Sequence, residues 1–396
     1  MVFDYIGKFV PALCRIVLCL SVLISVPVVL FSSGCNSDNN TLDPELAAAL
    51  RDIFTDNMEE FGVPGALAGV WIPGKGRLIL EEGMSDIESG EPIMKEDHMR
   101  IGSVTKSFTV TVILQLAEEG LLSLGDRVGD YIPGIENGDA TIAELADMRS
   151  GIFNYTEDGE FVAEFVSSHF LRVWTDQELV DIADGNPPYF PPGEGWHYSN
   201  TNTVILGMII EQVTGNPIGE EIRERIIKPL GLGGTFYPET PDMPEPFAHG
   251  YGFDPLQDIS FTDPSSSAGS GAMISKLTDL KKWGKALGQG TLLDEEFQAI
   301  RVNSLVPIVF NPCDDDDPER EKRSCPEYDR YGLGIGELSG WIGHTGEYIG
   351  YTALVMYDPE SGSTVVILMN VFGVGEHVPT KVFREFADLL KQTLEE

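Results

Sequence analysis

The chain has 396 residues, 42% of them hydrophobic and 22% charged, and a formal net charge of −37. This supplies enough apolar material for a substantial core and excludes disordered and fibrous classes. The acidic excess argues against nucleic acid as a partner and favours solubility, without identifying a substrate.

Lys8 and Arg15 precede an uncharged apolar run from Ile16 to Phe31, followed by Ser32-Ser33-Gly34 and Cys35. That order is a signal peptide's, which predicts an exported protein of the periplasm or cell envelope. Gly34-Cys35 resembles a bacterial lipoprotein processing site, although Ser32 stands where Leu is usual. Residues 1–35 would then be the leader, with Cys35 lipidated and anchoring the chain to the membrane. An ordinary cleaved signal and an uncleaved anchor are the alternatives, the run being shorter than the roughly 20 residues that span a bilayer comfortably. Residues 36–42 read as a polar tether.

The folded body, 43–396, reads as one enzyme unit with an insertion. Leu46, Leu50, Ile53 and Phe54 fall at helical spacing between Pro44 and Glu60, and Gly62 and Pro64 stop that helix. Ala66 to Ile72 and Arg77 to Glu81 flank Pro73-Gly74-Lys75-Gly76 as a β-hairpin. From Ser103 to Glu119, apolar residues such as Phe108, Val110, Val112, Ile113, Leu114 and Leu116 lie on nearly all sides, which predicts a buried helix ended by Gly120. From Asp126 to about Pro264, helical patterns alternate with Pro and Gly loops, notably Asn186-Pro187-Pro188 and Pro191-Pro192-Gly193, as expected of a helical insertion.

Strands return at Tyr331 to Leu338, Trp341 to His344, Gly350 to Tyr357 and Thr364 to Asn370, the last two joined by a turn at Asp358-Pro359-Glu360-Ser361-Gly362. Val378 to Leu394 forms a closing amphipathic helix. Strands at both chain ends around a helical middle predict an α/β (α+β) fold: one antiparallel sheet built from both ends, flanked by the terminal helices. Of the five cysteines, Cys14 and Cys19 lie in the leader and Cys35 is the lipidation candidate. Cys313 and Cys325 bracket the acidic run Asp314 to Asp317 and can pair, which would constrain that loop by about 3 kcal/mol; two free thiols are the alternative.

Three motifs carry chemistry. Ser103 and Lys106 stand at i and i+3, on one helix face, and a buried lysine is a base that can activate a serine hydroxyl. If Ser103 opens the buried helix, its own N–H supplies half of an oxyanion hole. In Tyr198-Ser199-Asn200, a phenol could carry a proton to the leaving group and an amide could bind a substrate carbonyl. In Gly343-His344-Thr345-Gly346, at the end of a predicted strand, Gly346 admits a substrate backbone and the N–H of Glu347 could be the second oxyanion donor. Each has a plain structural alternative: a solvated lysine on a helix turn, a packed tyrosine beside a capping asparagine, a structural histidine.

Together, in this order, they resemble the penicillin-recognising serine hydrolases: D,D-peptidases, class C β-lactamases and related esterases. The likeness runs from about Asp43 to Leu394. It includes Arg100-Ile101-Gly102, Leu122-Ser123-Leu124-Gly125-Asp126 and Ala268-Gly269-Ser270-Gly271-Ala272-Met273. It implies a β-lactamase/transpeptidase-like fold, Ser103 as acylated nucleophile, Lys106 as activator, Tyr198 as general acid/base, and Asn200, His344, Thr345 and Gly346 as substrate contacts. His344 replaces the commoner Lys, so a preference for carboxylate-bearing substrates is not implied. Ser37-Asp38-Asn39 spells the second motif of class A β-lactamases, but it precedes Ser103 and Tyr198-Ser199-Asn200 occupies the proper place. No metal or cofactor is expected, because the histidines are scattered and Gly231-Leu232-Gly233-Gly234 follows a helix. The expected activity is a D-Ala-D-Ala carboxypeptidase on cell-wall peptide, with a small-molecule or peptide substrate. A class C-like β-lactamase or esterase, and a binding module acylated without turnover, are the alternatives.

Overall fold

The computed structural model describes residues 41–253, 255–308, 328–374 and 376–395, with side chains as far as 393. The expected leader with Cys35, most of the expected tether, and Cys313 and Cys325 with their expected pairing lie outside the described residues. Among those described, no helix is long and apolar enough to cross a membrane.

Helix α1 (Pro44–Phe61) starts where Asp43 caps the N–H groups of Glu45 and Leu46, and ends at Gly62, whose φ of 62° is left-handed. The hairpin β1 (Gly65–Ile72) and β2 (Gly76–Asp86) follows, then the short β3 (Glu91–Pro92). The C-terminal part adds β4 (Val306–Pro307), β5 (Arg330–Tyr331), β6 (Gly336–Leu338), β7 (Trp341–Tyr348), β8 (Tyr351–Tyr357) and β9 (Thr364–Met369). They form a nine-stranded antiparallel sheet in the order β3-β2-β1-β9-β8-β7-β6-β5-β4. The two chain ends meet where β1 pairs with β9, from Ala66 opposite Met369 to Trp71 opposite Thr364.

Every residue of β1, β8 and β9 is buried, because both faces of the sheet are covered. Ala66, Ala68, Val70 and Ile72 share one core with the terminal helices, α1 and α5 (Val378–Glu395), while Leu67 and Trp71 share the other with α2 (Val104–Glu118) and α4 (Leu277–Gln289). That is the period-2 alternation of a strand, resolved into two layers.

Helix α2 runs through the second core, buried from Val104 to Leu114. Several of its inward polar groups are bonded across the core: Thr109 Oγ1 donates to Gly269 O at 2.7 Å, Trp283 Nε1 donates to Ser107 Oγ at 2.9 Å, and Arg301 Nη2 donates to Thr111 Oγ1 at 2.7 Å. Beside it lies α3 (Asn200–Thr214), the apolar helix that follows Tyr198-Ser199.

Several boundaries differ from expectation. Strand β2 continues past Glu81 to Asp86, and β9 stops at Met369. The expected strand from Tyr331 to Leu338 is two, broken at Gly332 to Ile335, where Gly334 takes a φ of 65° and a side chain there would meet Val110 at 2.5 Å. Strand β7 does not end at His344 but runs on to Tyr348, its register with β8 unbroken from Ile342↔Tyr357 to Tyr348↔Tyr351. The insertion is helical only to Leu230; the described residues from 231 to 263 hold loops and a short strand pair, Tyr251–Gly252 with Gln257–Asp258.

Candidate active site

Ser103 sits at the first turn of α2 with helical dihedrals (φ −62°, ψ −9°) and remains half-buried, accessible from outside. What brings it to β7 is a pair of glycines. A Cβ on Gly346 would lie 2.0 Å from the carbonyl oxygen of Ile101, and one on Gly102 would lie 2.4 Å from Glu347 O and 2.7 Å from Glu347 N. Gly102 also has a φ of 48°, which disfavours any side chain. The start of α2 therefore packs backbone to backbone on β7, with Ser103 beside Glu347, as two oxyanion donors require.

Gly346→Ala should part these backbones. Shifts of about 1 Å at a reacting centre cost on the order of 100-fold, so kcat is expected to fall by at least that factor, with a stability loss of about 1–3 kcal/mol. Wild-type kcat in this variant would refute the close-approach argument.

Lys106 is fully buried in the second turn of α2. Its Nζ lies 2.9 Å from Ser103 Oγ, 2.6 Å from Asn200 Oδ1 and 2.8 Å from the carbonyl oxygen of Ser270, and 4.8 Å from the centre of the Tyr198 ring. Burial holds its pKa well below the usual lysine value. Nζ faces three oxygens it can donate to; in the neutral amine Asn200 Oδ1 and Ser270 O, which can only accept, take its two N–H groups and the lone pair turns to the Ser103 hydroxyl.

Tyr198 moves the other way. Burial, with Tyr328 and the Glu347 carboxylate nearby, pushes its phenol well above the usual range, and the Ser103 hydroxyl opposes this only in part. Burial thus disfavours the charged form of both, keeping the amine able to accept a proton and the phenol protonated.

Two expected substrate contacts are otherwise engaged. Asn200 accepts from Lys106 through Oδ1 and donates through Nδ2 to Thr156 Oγ1 at 3.2 Å, while its N–H donates to Asn154 Oδ1 at 3.1 Å. Its first task in this structure is to hold the lysine. His344 has no exposed surface. Its Nδ1–H donates to Thr345 O at 2.6 Å and its Nε2 accepts from the Tyr331 hydroxyl at 2.9 Å, and the Tyr328 hydroxyl lies 3.0 Å from Nδ1. Tyr328 also bonds the Thr345 hydroxyl at 2.8 Å and its N–H at 2.7 Å. Burial lowers the His344 pKa to about 3. In this structure the third motif's imidazole is buried and neutral and braces β7, with its ring nitrogens turned to Thr345 and Tyr331.

A consequence can be measured. Between about pH 5 and 8, where an exposed histidine would titrate, the ratio of kcat/KM for a carboxylate-bearing substrate to that for a neutral one is expected to stay constant. A ratio falling with a midpoint near 6.5 would restore the cationic role.

Ser270, Tyr328, Tyr331 and Asn154 are the participants that motif reading did not single out. The signal for Ser270 was its setting in Ala268-Gly269-Ser270-Gly271: a Cβ on Gly269 would lie 2.7 Å from Thr203 O, so only a run of small residues brings this carbonyl against α3 and Lys106. Among the described residues, no group of three His, Cys, Asp or Glu side chains could hold a metal ion.

A serine at the start of a buried helix, a buried lysine amine and a phenol, set beside strand β7, are the arrangement of the penicillin-recognising serine hydrolases, and the fold is β-lactamase/transpeptidase-like. The Beta-lactamase family model matches residues 50–387, and the chain belongs to that family of serine hydrolases. It is 26% identical over 309 residues to Penicillin-binding protein 4* of Bacillus subtilis (strain 168), a match covering 73% of this chain and 64% of that protein. The chain thus spans under two thirds of the length of such curated relatives. Among solved structures it resembles a D-stereospecific amidohydrolase from Streptomyces sp., with 33% identity, a TM-score of 0.72, and coverage of 85% of this chain and 97% of that one. D-amino acid amidase from Ochrobactrum anthropi SV3 shares the fold, with 24% identity, a TM-score of 0.75, and coverage of 88% and 99%.

Proposed function

We propose that this protein hydrolyses small amides, foremost amides of D-amino acids, through an acyl-enzyme on Ser103. The observation that carries the acyl-enzyme is the 2.9 Å approach of Lys106 Nζ to Ser103 Oγ, with the two N–H groups of the amine already taken. Lys106 accepts the hydroxyl proton as Oγ attacks the carbonyl carbon. The N–H groups of Ser103 and Glu347 receive the charge that develops on the carbonyl oxygen. Tyr198 gives its proton to the leaving nitrogen as the C–N bond breaks, and recovers one from the Lys106 ammonium. Water then attacks the ester, the same groups reverse their roles, and Ser103 is released.

The substrate class follows from charge. A neutral, buried His344 offers no cation to a terminal carboxylate, which favours a substrate without one. The likeness to a D-stereospecific amidohydrolase supports the same choice. The second reading, a D-Ala-D-Ala carboxypeptidase, is favoured by the match to a penicillin-binding protein. The leader supports placing either activity at the cell envelope, with Cys35 as a lipid anchor.

Purified protein should be offered a D-amino acid amide, its L-enantiomer, a peptide ending in D-Ala-D-Ala, a short-chain nitrophenyl ester and benzylpenicillin. Intact-mass spectrometry would follow the adduct. The expected result is highest kcat/KM on the D-amide, by at least about tenfold. Faster release of D-Ala from the peptide would establish the second reading, and rapid penicillin turnover a β-lactamase. A persistent penicillin adduct with no turnover of any substrate would identify a binding module.

A further inference from the structure

The carbonyl of Gly346 and the N–H of Glu347 are the two ends of one peptide unit, so a group that binds the first acts on the second. His377 does bind it. Its Nε2 lies 3.1 Å from Gly346 O, and its Nδ1 lies 2.8 Å from Thr380 Oγ1. A carbonyl can only accept, so Nε2 carries the proton, and Nδ1 of the neutral ring accepts from the Thr380 hydroxyl. Both contacts define one tautomer and one ring orientation.

The ring is anchored where helix α5 begins. The N–H groups of Thr380 and Lys381 donate to His377 O at 3.0 and 3.3 Å, and Thr380 and Val378 are buried. Helix α5 in turn packs on β8, the neighbour of β7 in the sheet, and on β9 beyond it. Burial lowers the His377 pKa to about 4, so at neutral pH it is uncharged and its N–H is retained.

We infer that His377 is a positioning residue of the oxyanion hole: its imidazole N–H, on the Gly346 carbonyl, orients and polarises the Gly346–Glu347 peptide whose other end receives the transition-state charge. A hydrogen bond accepted by an amide oxygen draws electron density from the amide nitrogen and makes its N–H a stronger donor, and hydrogen bonds in series reinforce one another. The benefit grows as the substrate oxygen becomes an anion, so it belongs to the transition state more than to the bound substrate. The inference rests on the acyl-enzyme reading, with Glu347 as the second donor.

The test compares His377→Leu, which removes the donor, with His377→Gln, whose side-chain N–H can reach the same oxygen. In hydrolysis of a nitrophenyl ester, His377→Leu should lower the acylation rate about tenfold with KM unchanged. It should weaken binding of a boronic acid, which forms a tetrahedral anion on Ser103, by a similar factor. It should also raise the infrared stretching frequency of the acyl-enzyme carbonyl. His377→Gln should recover at least half of each change. Wild-type acylation and carbonyl frequency in His377→Leu would overturn the inference. So would equal losses in both variants with a matching fall in Tm, the mark of a merely structural residue. If the wild-type protein forms no adduct on Ser103 at all, the hydrolase reading itself fails.

Discussion

Ser103→Ala is expected to lower kcat/KM by at least about 10⁴-fold and to abolish the covalent adduct, because the residue supplies the attacking oxygen and nothing nearby can replace it. No other hydroxyl contacts Lys106 in the described structure, where the partners of Nζ are Ser103, the Asn200 amide oxygen and a backbone carbonyl. Losses of that size accompany removal of a nucleophile that acts as a unit with its base. The fold should be little affected. Ser103 is half-buried and its side chain serves Lys106 and Tyr198 alone, so Tm should stay within about 3 °C of wild type. Intact-mass spectrometry with an activated ester, beside a thermal melt, decides the matter. An adduct of the same stoichiometry in Ser103→Ala would place the nucleophile elsewhere.

Lys106→Met carries the second large effect. Methionine matches the length of the lysine stem without its base, and kcat/KM should fall by about 10³- to 10⁴-fold. Two pH dependences accompany it. In the wild type the active form is the neutral amine, so kcat/KM falls as pH drops through the lowered Lys106 pKa, and Lys106→Met should lack that limb. For stability the sign is fixed by proton counts. Between the folded and unfolded pKa values, the unfolded chain binds a proton at Lys106 that the native chain does not, so the wild type gains stability as pH rises toward the unfolded value. Unfolding free energies of the two proteins should therefore diverge in favour of the wild type with rising pH. Lys106→Met offsets part of its gain at low pH by leaving Asn200 Oδ1 and Ser270 O without this donor. A variant keeping more than a tenth of wild-type activity would show that Lys106 is not the base.

Much of this architecture is legible in the amino-acid order, because local rules govern it. Asp43, Pro44 and Gly62 punctuate the first helix; the Pro73-to-Gly76 turn closes the first hairpin; the all-round apolar pattern of Phe108 to Leu116 marks a buried helix. The i, i+3 spacing of Ser103 and Lys106 places two side chains on one face before any tertiary contact is known. Glycine is where local reading failed. Gly346 resembles the end of a strand, yet β7 continues through it because the missing Cβ is what lets Ile101 and the start of α2 lie against the sheet.

What the sequence determined alone, then, is which residues could react and on which elements they stand. Their charge states were decided only by the tertiary structure, since a pKa depends on water excluded and on partners brought from afar. Lys106 can serve as a base because burial, among partners such as Asn200, 94 residues away, and Ser270, 164 residues away, removes water from its ammonium and lowers its pKa. By the same physics His344, whose residue type leaves its charge open near neutral pH, is kept neutral by the burial it shares with Tyr328 and Tyr331.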